Sequence, residues 1–342
     1  MDPKGKDVDW GTKGFELYKK DKFEESIEYL DKALEIDPED NSSLYCKAQA
    51  LGMMGKYEEA LENVNKLLEL DEEDNIAWFN KATYLVNMEK FKESLECYDR
   101  SLEIDPGYDI VHHDKAVALA QLGRHKEAIK HFNVFLENNP EDRDALYLKS
   151  VSLRSLGKYN ESIESFQRAI ALDKPESQVP ESIIYFEIGE MYALMGSYEE
   201  AIENLDKCLK IDPGNIDALN GIGVCYTELG NNEKAIQYFD KIIEKYPEDY
   251  CWNNKGIALM RLEKYDDAAK AFEKAIEIDP EIGDAWYNKA CLAALTGDTK
   301  NAIEFLKKAI DIDETNIEFA RDDPELSNIK DLKEFKELVK NT

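Results

Sequence analysis

The four histidines of the chain lie close together in the sequence, at His112, His113, His125 and His131. Imidazole nitrogens bind transition metals, so such a concentration is a candidate metal site. The helical periodicity of this segment, however, places His112 and His125 at different ends of a helical hairpin and turns His131 outward. The pattern therefore favours histidines that replace aromatic residues over a metal site.

Short motifs for phosphate, acyl-transfer, zinc and calcium chemistry do not occur in the sequence. It contains no G-x-G-x-x-G, Walker loop, G-x-S-x-G, H-E-x-x-H or calcium loop. The 73 Asp and Glu residues are too numerous for chance proximity to indicate acid–base catalysis, and we expect a solvated acidic surface. We therefore predict no catalytic residue, no cofactor and no enzymatic activity.

Charge and hydropathy exclude two further classes of partner. The chain has 342 residues and a formal net charge of -30, which opposes binding to nucleic acids and to anionic membranes. Its longest apolar runs fall far short of the ~20 residues of a membrane span, and Met1–Trp10 lacks the apolar stretch of a secretory signal. Six cysteines without a CxxC pair are typical of reduced, packed thiols. These features predict a cytoplasmic protein.

The chain repeats itself with a dominant period of 34 residues. Gly55–Ala60 and Gly157–Ser162, for example, lie three periods apart. The repeats occupy residues 7–316, after a flexible N-terminus over residues 1–6 and with an insertion at residues 177–181. The nine copies begin at Asp7, Asn41, Asn75, Asp109, Arg143, Ser182, Ile216, Asp249 and Gly283.

Each copy contains two amphipathic segments at helical spacing with a turn between them. In most copies a glycine in the turn, such as Gly157, can adopt a positive φ and end the first helix. In most copies a proline, such as Pro280, then prevents continuation of the second helix. The sequence therefore predicts an all-α protein built of helix pairs.

This pattern resembles the tetratricopeptide repeat family. In the eighth copy the family's fourth, eighth, eleventh, seventeenth, twentieth, twenty-fourth, twenty-seventh and thirty-second positions hold Trp252, Gly256, Leu259, Tyr265, Ala268, Phe272, Ala275 and Pro280. The resemblance implies a right-handed superhelical solenoid of antiparallel helix pairs. One departure is lysine in place of leucine at the seventh position of seven copies; we expect its stem to cover apolar surface while its amine reaches water.

Residues 317–342 fall outside the repeat but carry apolar residues at helical spacing. A stacked array leaves one apolar face of its last repeat uncovered, so this segment is predicted to be a C-terminal capping helix. On this interpretation the array ends with the chain, and no catalytic domain is expected downstream.

The resemblance also implies a binding surface, because first helices in the family line a concave groove that holds peptides or helices of partner proteins. The fifth repeat positions form a predicted aromatic ladder, namely Tyr45, Phe79, His113, Tyr147, Phe186 and Tyr287. The other groove candidates are Phe15, Gln49, Asn87, Val117, Val151, Arg154, Asn220, Asn253 and Arg261. Flat rings and amides suit peptide binding, although part of the ladder could instead pack against neighbouring helices.

Charges are arranged along the repeats, with lysines in the turns inside copies and acidic residues in the loops between them. Repetition should collect the acidic loops on one edge, which would favour a basic partner. The resemblance therefore implies a non-catalytic scaffold for protein or peptide partners. Two alternatives stay open: a structural array that self-associates into homo-oligomers, and an accessory subunit of a protein-modifying enzyme.

Overall fold

The computed structural model describes residues 9–172 and 179–340, which fall into two compact units with the boundary between Gln178 and Val179. The described residues are helices, turns and loops, without a strand. None of their helices is both long and apolar enough to cross a bilayer. The predicted flexible N-terminus at residues 1–6 and the part of the insertion at 177 and 178 lie outside the described residues.

The first unit is a stack of five antiparallel helix pairs, each joined by a short turn. Each first helix also packs against the second helix of the preceding pair. Its helices are α1 (Trp10–Tyr18), α2 (Phe23–Ile36), α3 (Asn41–Met53), α4 (Tyr57–Leu70), α5 (Asn75–Asn87), α6 (Phe91–Ile104), α7 (Asp109–Gln121), α8 (His125–Asn138), α9 (Arg143–Ser155) and α10 (Tyr159–Ala171).

The second unit contains four such pairs and a C-terminal segment. Its paired helices are α11 (Glu181–Leu194), α12 (Tyr198–Ile211), α13 (Ile216–Glu228), α14 (Asn232–Ile243), α15 (Asp249–Arg261), α16 (Tyr265–Ile278), α17 (Gly283–Leu295) and α18 (Thr299–Ile312). The C-terminal segment consists of α19 (Asn316–Asp322), a 3-10 turn (Pro324–Leu326) and α20 (Lys333–Leu338).

Turns inside the pairs use the left-handed backbone conformation. Six turn glycines have φ between 71° and 83°: Gly55, Gly123, Gly157, Gly196, Gly230 and Gly297. In three pairs the same conformation is adopted by Asp21, Glu89 and Glu263, with φ of 58° to 59°. The turn geometry is therefore kept where glycine is absent, at a steric cost of about 1–2 kcal/mol per residue.

The paired helices cross where a small residue faces a large buried one. In the eighth pair Gly256 lies under the ring of Phe272, which is 0% exposed, and a methyl group on Gly256 would lie 2.4 Å from that ring. Gly223 lies under Phe239 in the same way. This close approach explains the recurrence of small residues at the eighth repeat position.

In four of the seven copies that carry it, the lysine at the seventh repeat position forms an ion pair with the second helix of the preceding repeat. The pairs are Lys47–Asp31, Lys115–Asp99, Lys255–Asp240 and Lys289–Glu273. Lys255 Nζ, for example, lies 2.6 Å from a carboxylate oxygen of Asp240. In these four copies the amine is therefore bound to a neighbouring repeat, whereas the sequence analysis expected it to reach water.

The fifth copy lacks this ion pair because Asn133 stands 16 residues before Lys149, where Asp31 stands 16 residues before Lys47. Burial and the nearby Arg168 lower the pKa of Lys149. We expect Asn133→Asp to raise the free energy of unfolding by up to about 1 kcal/mol, measured by urea unfolding at low salt. The same substitution in a Lys149→Met background should give no gain; an equal gain there would contradict an ion pair.

The C-terminal segment is not the single helix that the sequence predicts over 317–342. It forms two short helices separated by a 3-10 turn, because Pro324 lacks a backbone N–H and holds Asp323 in an extended conformation. Four of its residues, Ala320, Leu326, Ile329 and Phe335, are buried in a cluster with the last helix pair. The segment therefore covers the apolar face of α17 and α18 with irregular structure.

Candidate functional site

The predicted aromatic ladder is half-buried and contacts neighbouring helices. The ring of Phe79 lies 5.4 Å from that of Tyr108 and 6.2 Å from that of Tyr98. The ring of Tyr147 lies 5.6 Å from that of Phe166. Phe186 packs against the core cluster of α12 and α13. These rings contribute to packing between helices in addition to any surface that they offer a partner.

A cavity of about 410 Å³ in the first unit brings three of the predicted residues together. It is lined by Gly11, Thr12, Phe15, Ser42, Ser43, Tyr45, Cys46 and Gln49, on α1 and α3. Phe15 is 46% exposed there. The Tyr45 hydroxyl donates a hydrogen bond to the carboxylate of Asp74, which also caps α5, and burial raises the pKa of that hydroxyl. The site offers an apolar ring, an amide and hydroxyl groups.

The other predicted residues of the first unit do not line this cavity. Asn87 is exposed at the end of α5, and its amide donates to the Thr83 carbonyl at 2.8 Å. Val117 on α7 and both Val151 and Arg154 on α9 are half-buried. These residues lie on α5, α7 and α9, at three levels of the stack.

Paired asparagines connect three consecutive first helices of the second unit. The Asn254 amide donates to the Asn220 side-chain oxygen at 3.1 Å, which links α15 to α13. The Asn288 amide donates to the Asn253 oxygen at 2.9 Å, which links α17 to α15. Because an asparagine amide has two N–H donors and an oxygen with two lone pairs, each pair keeps further hydrogen-bonding capacity.

A cavity of about 490 Å³ lies beside these asparagines. It is lined by Asn253, Asn254, Ile257, Asp284, Tyr287, Asn288, Asn316, Phe319 and Asp323. Phe319 is 66% exposed, and the Tyr287 hydroxyl donates to the Asp323 carboxylate at 2.8 Å. The lining contains two carboxylates and neither a lysine nor an arginine. The cavity therefore combines amides, negative charge and an apolar ring.

Arg261 forms hydrogen bonds within the stack of helices. Its guanidinium donates to the Thr227 carbonyl at 2.7 Å and to the Glu228 carboxylate at 3.0 Å, both on the preceding first helix. It lines a separate, smaller cavity of about 110 Å³. These bonds connect α15 to α13 and occupy part of the guanidinium.

Sequence reasoning missed seven residues of the larger cavity, namely Asn254, Ile257, Asp284, Asn288, Asn316, Phe319 and Asp323. Asn254 and Asn288 stand at the sixth repeat position, so reading that inward position beside the fifth would have found both. Phe319 and Asp323 belong to the C-terminal segment, where no repeat register applies. Their place in the cavity follows from the irregular path of that segment.

The histidines do not converge into one metal site. Nδ1 of His112 lies 2.8 Å from Nδ1 of His131, and their rings are stacked with centroids 5.1 Å apart. The prediction that His131 points outward is wrong, because α7 and α8 cross closely at small residues and bring it against His112. His113 instead contacts Asp114 at 2.8 Å and the rings of Phe132 and Phe135, and His125 takes no part in the pair.

Acid should weaken the fold at this histidine pair. Burial, Lys115 and His112 lower the pKa of His131 to about 4, from an ordinary value near 6.5. Between those two pH values the unfolded chain binds the proton more strongly than the folded chain, so stability falls as the pH falls from 6.5 to 4. We expect His131→Phe to reduce this loss of Tm, measured by calorimetry at both pH values. An unchanged loss would contradict the assignment.

Family comparison identifies the repeat. A model described as tetratricopeptide repeat matches residues 79–143, 113–177, 147–216 and 253–317, and a second model of the same description matches 192–253. A model of anaphase-promoting complex, cyclosome, subunit 3 matches residues 19–101.

Individual relatives are more distant. A TPR repeat-containing protein of Methanocaldococcus jannaschii is 24% identical over 169 residues, 44% of this chain and 30% of the relative. An N-terminal acetyltransferase A complex subunit-like protein of Schizosaccharomyces pombe is 24% identical over 127 residues, 36% of this chain and 18% of the relative. The chain therefore spans less than a third of the length of these curated relatives.

Comparison with solved structures supports the fold. A tetratricopeptide repeat protein from Parabacteroides merdae aligns with a TM-score of 0.51 and 19% identity, over 79% of this chain and 98% of that chain. At this identity the likeness shows the fold alone. Since the tetratricopeptide repeat model matches more than half of the sequence and the described residues form the corresponding helix pairs, this chain belongs to the tetratricopeptide repeat family.

Proposed function

We propose that this protein is a non-catalytic cytoplasmic scaffold whose second unit binds an extended, basic segment of another protein. The observation that carries this proposal is the row of paired asparagines on α13, α15 and α17 beside an acidic cavity. Membership of the tetratricopeptide repeat family supports the coarser statement that the chain is a protein-interaction scaffold.

The asparagines suit an extended backbone. A peptide that lies outside regular secondary structure carries an N–H and a C=O at every residue, and both lose water when they are buried against a protein. Amide side chains replace both kinds of hydrogen bond, whereas charged groups replace one kind. Amides on successive first helices, such as Asn254 and Asn288, would therefore form hydrogen bonds with the backbone of a bound peptide whatever its sequence.

Side-chain preference would come from the rest of the cavity. Asp284 and Asp323 carry negative charge, and the net charge of -30 attracts a positively charged segment from a distance. Phe319, 66% exposed, offers a flat apolar surface for one side chain of the partner. A partner segment that fits this cavity therefore combines lysine or arginine with an apolar residue and has a backbone outside regular secondary structure.

A peptide panel tests this function. Fluorescein-labelled peptides of one length would alternate an apolar residue with lysine, glutamine or glutamate, and binding would be followed by anisotropy with a chelator present. We expect the lysine peptides to bind most tightly and to lose affinity as the salt concentration rises. Equal affinity for the lysine and glutamate peptides, or no binding of any peptide, would refute the proposal.

A second candidate function is that of an accessory subunit of a protein-modifying enzyme. It is favoured by the match to the N-terminal acetyltransferase A complex subunit-like protein, of which this chain spans 18%. On this proposal the protein isolated from its source cells should carry a catalytic subunit in constant proportion. Isolation without such a subunit would reject it.

A further inference from the structure

We propose that Cys291, Asp323 and Glu325 form a binding site for a divalent cation of the zinc class. The thiol and the two carboxylates each offer a ligand atom, and these atoms all lie within 4.8 Å of one another. Among the described residues this is the group in which three such side chains meet. The proposal goes beyond the scaffold function and does not depend on it.

The three side chains come from two segments that the fold holds together. Cys291 lies on α17 and is 1% exposed, and its sulfur lies 3.6 Å from an Asp323 carboxylate oxygen. Asp323 precedes the 3-10 turn in which Glu325 lies, and both carboxylates are half-buried. The site therefore joins the last repeat to the segment that covers it.

Hydrogen bonds fix the orientation of Asp323. One carboxylate oxygen accepts the backbone N–H of Glu325 at 2.8 Å, and the other accepts the Tyr287 hydroxyl at 2.8 Å. Metal sites in proteins commonly use such second-layer bonds to orient a ligating carboxylate. A ligand that is already oriented loses little conformational entropy when the ion binds.

The charges around the site favour a cation. The carboxylates of Asp323 and Glu325 place oxygen atoms within 4.8 Å of each other and of the Cys291 sulfur. The Tyr287 hydroxyl is uncharged, and the positively charged Arg261 is bonded to Glu228 and to the Thr227 carbonyl. A bound divalent ion would offset the repulsion between the two carboxylates.

The donor set selects the type of ion. Magnesium and calcium prefer sites made of oxygen ligands, whereas zinc accepts a thiolate together with carboxylates. Three protein ligands leave a fourth position of a tetrahedral site, which water could fill from the 490 Å³ cavity that Asp323 and Tyr287 line. Binding releases the thiol proton to solvent, so affinity should fall as the pH falls.

Cobalt(II) is a suitable probe, because a cobalt–thiolate bond gives an intense absorption band in the near ultraviolet. The full chain, reduced and stripped with a chelator, would be titrated with CoCl2 and then with ZnCl2. We expect a thiolate band with one cobalt per chain, its displacement by zinc, and a higher Tm with zinc. Absence of the thiolate band would overturn the proposal.

Variants assign the site. Cys291→Ser keeps a hydroxyl that can donate to Asp323 and should abolish the band, whereas Cys225→Ser, at a 0% exposed thiol on α13, should leave it intact. The double variant Asp323→Asn with Glu325→Gln keeps Cys291 and should weaken cobalt binding at least 10-fold. A band that survives in Cys291→Ser, or unchanged affinity in the double variant, would place the ion elsewhere. The peptide panel contains a chelator, so the two proposals fail independently.

Discussion

Replacing Phe272 with alanine is expected to lower the free energy of unfolding of the second unit by about 3–5 kcal/mol. The ring is 0% exposed and fills the crossing between α15 and α16. Its loss leaves a cavity that the glycine opposite, Gly256, has no side chain to fill. Urea unfolding followed by tryptophan fluorescence, to which Trp252 on the same cluster contributes, measures the change.

The opposite change at the same crossing provides a sharper test. Gly256→Ala places a methyl group 2.4 Å from the Phe272 ring and should cost about 1–3 kcal/mol through overpacking. In the double variant the methyl group occupies part of the cavity, so the combined loss should be smaller than the sum of the single losses. Strictly additive losses would contradict direct packing between the two residues.

Controls separate packing from general sensitivity. Phe319→Ala removes a ring that is 66% exposed and should change stability by no more than about 0.5 kcal/mol. Gly283→Ala adds a methyl group at an ordinary contact distance of 3.4 Å and should likewise be nearly neutral. A large loss of stability in either control would show that the second unit is sensitive to substitution in general. The loss in Phe272→Ala could then not be assigned to packing at the helix crossing.

The second large effect is expected on binding. Asn254→Ala together with Asn288→Ala should weaken the binding of the best lysine peptide by about 10- to 100-fold, because each lost hydrogen bond costs about 0.5–1.5 kcal/mol. The loss should be the same for peptides that differ in sequence, since the amides are proposed to contact the backbone. Anisotropy titrations at one salt concentration measure it.

A matched control is Asn204→Ala on the second helix α12, where the amide donates to the Glu200 carbonyl at 2.8 Å outside the cavity. This variant should bind the peptide as the unmodified protein does. If Asn204→Ala weakened binding as much as the double variant, or if the double variant bound normally, the asparagine row would not be the binding surface. Thermal melts of all three proteins would exclude unfolding as the cause.

The sequence was sufficient to predict the helix pairs, because each pair is specified locally. Glycine at Gly157 or Gly297 and proline at Pro280 act within a few residues, and the 34-residue period repeats the signal many times. The identification of the tetratricopeptide repeat family and of an all-α fold is confirmed. The close crossing of paired helices explains the small residues at the eighth position.

Contacts between repeats were harder to predict, because they depend on residues from different copies. Lys115 forms an ion pair with Asp99 of the preceding copy, and the sequence analysis did not consider this pair. His131 was misassigned for a different reason: its partner His112 lies in the same copy, and their contact depends on how closely α7 approaches α8. To predict such pairs, one needs the distance between the helices as well as the periodicity of the sequence.

The candidate site was predicted in part. Asn253 and Tyr287 were found at the fifth repeat position, and Asn254 and Asn288 were missed at the sixth. No periodic rule describes the C-terminal segment, which places Asp323 in the cavity and beside Cys291. Its path follows from one proline and from the apolar face that it covers.

The most direct test of the scaffold account is to map where a bound peptide lies. The best lysine peptide of the panel would carry a photoreactive benzophenone group, and the cross-linked residues of the protein would be identified by mass spectrometry. We predict cross-links on the first helices α13, α15 and α17 and at Phe319, with loss of these cross-links in the Asn254→Ala, Asn288→Ala variant. Cross-links confined to the second helices or to the acidic loops between repeats would contradict the account.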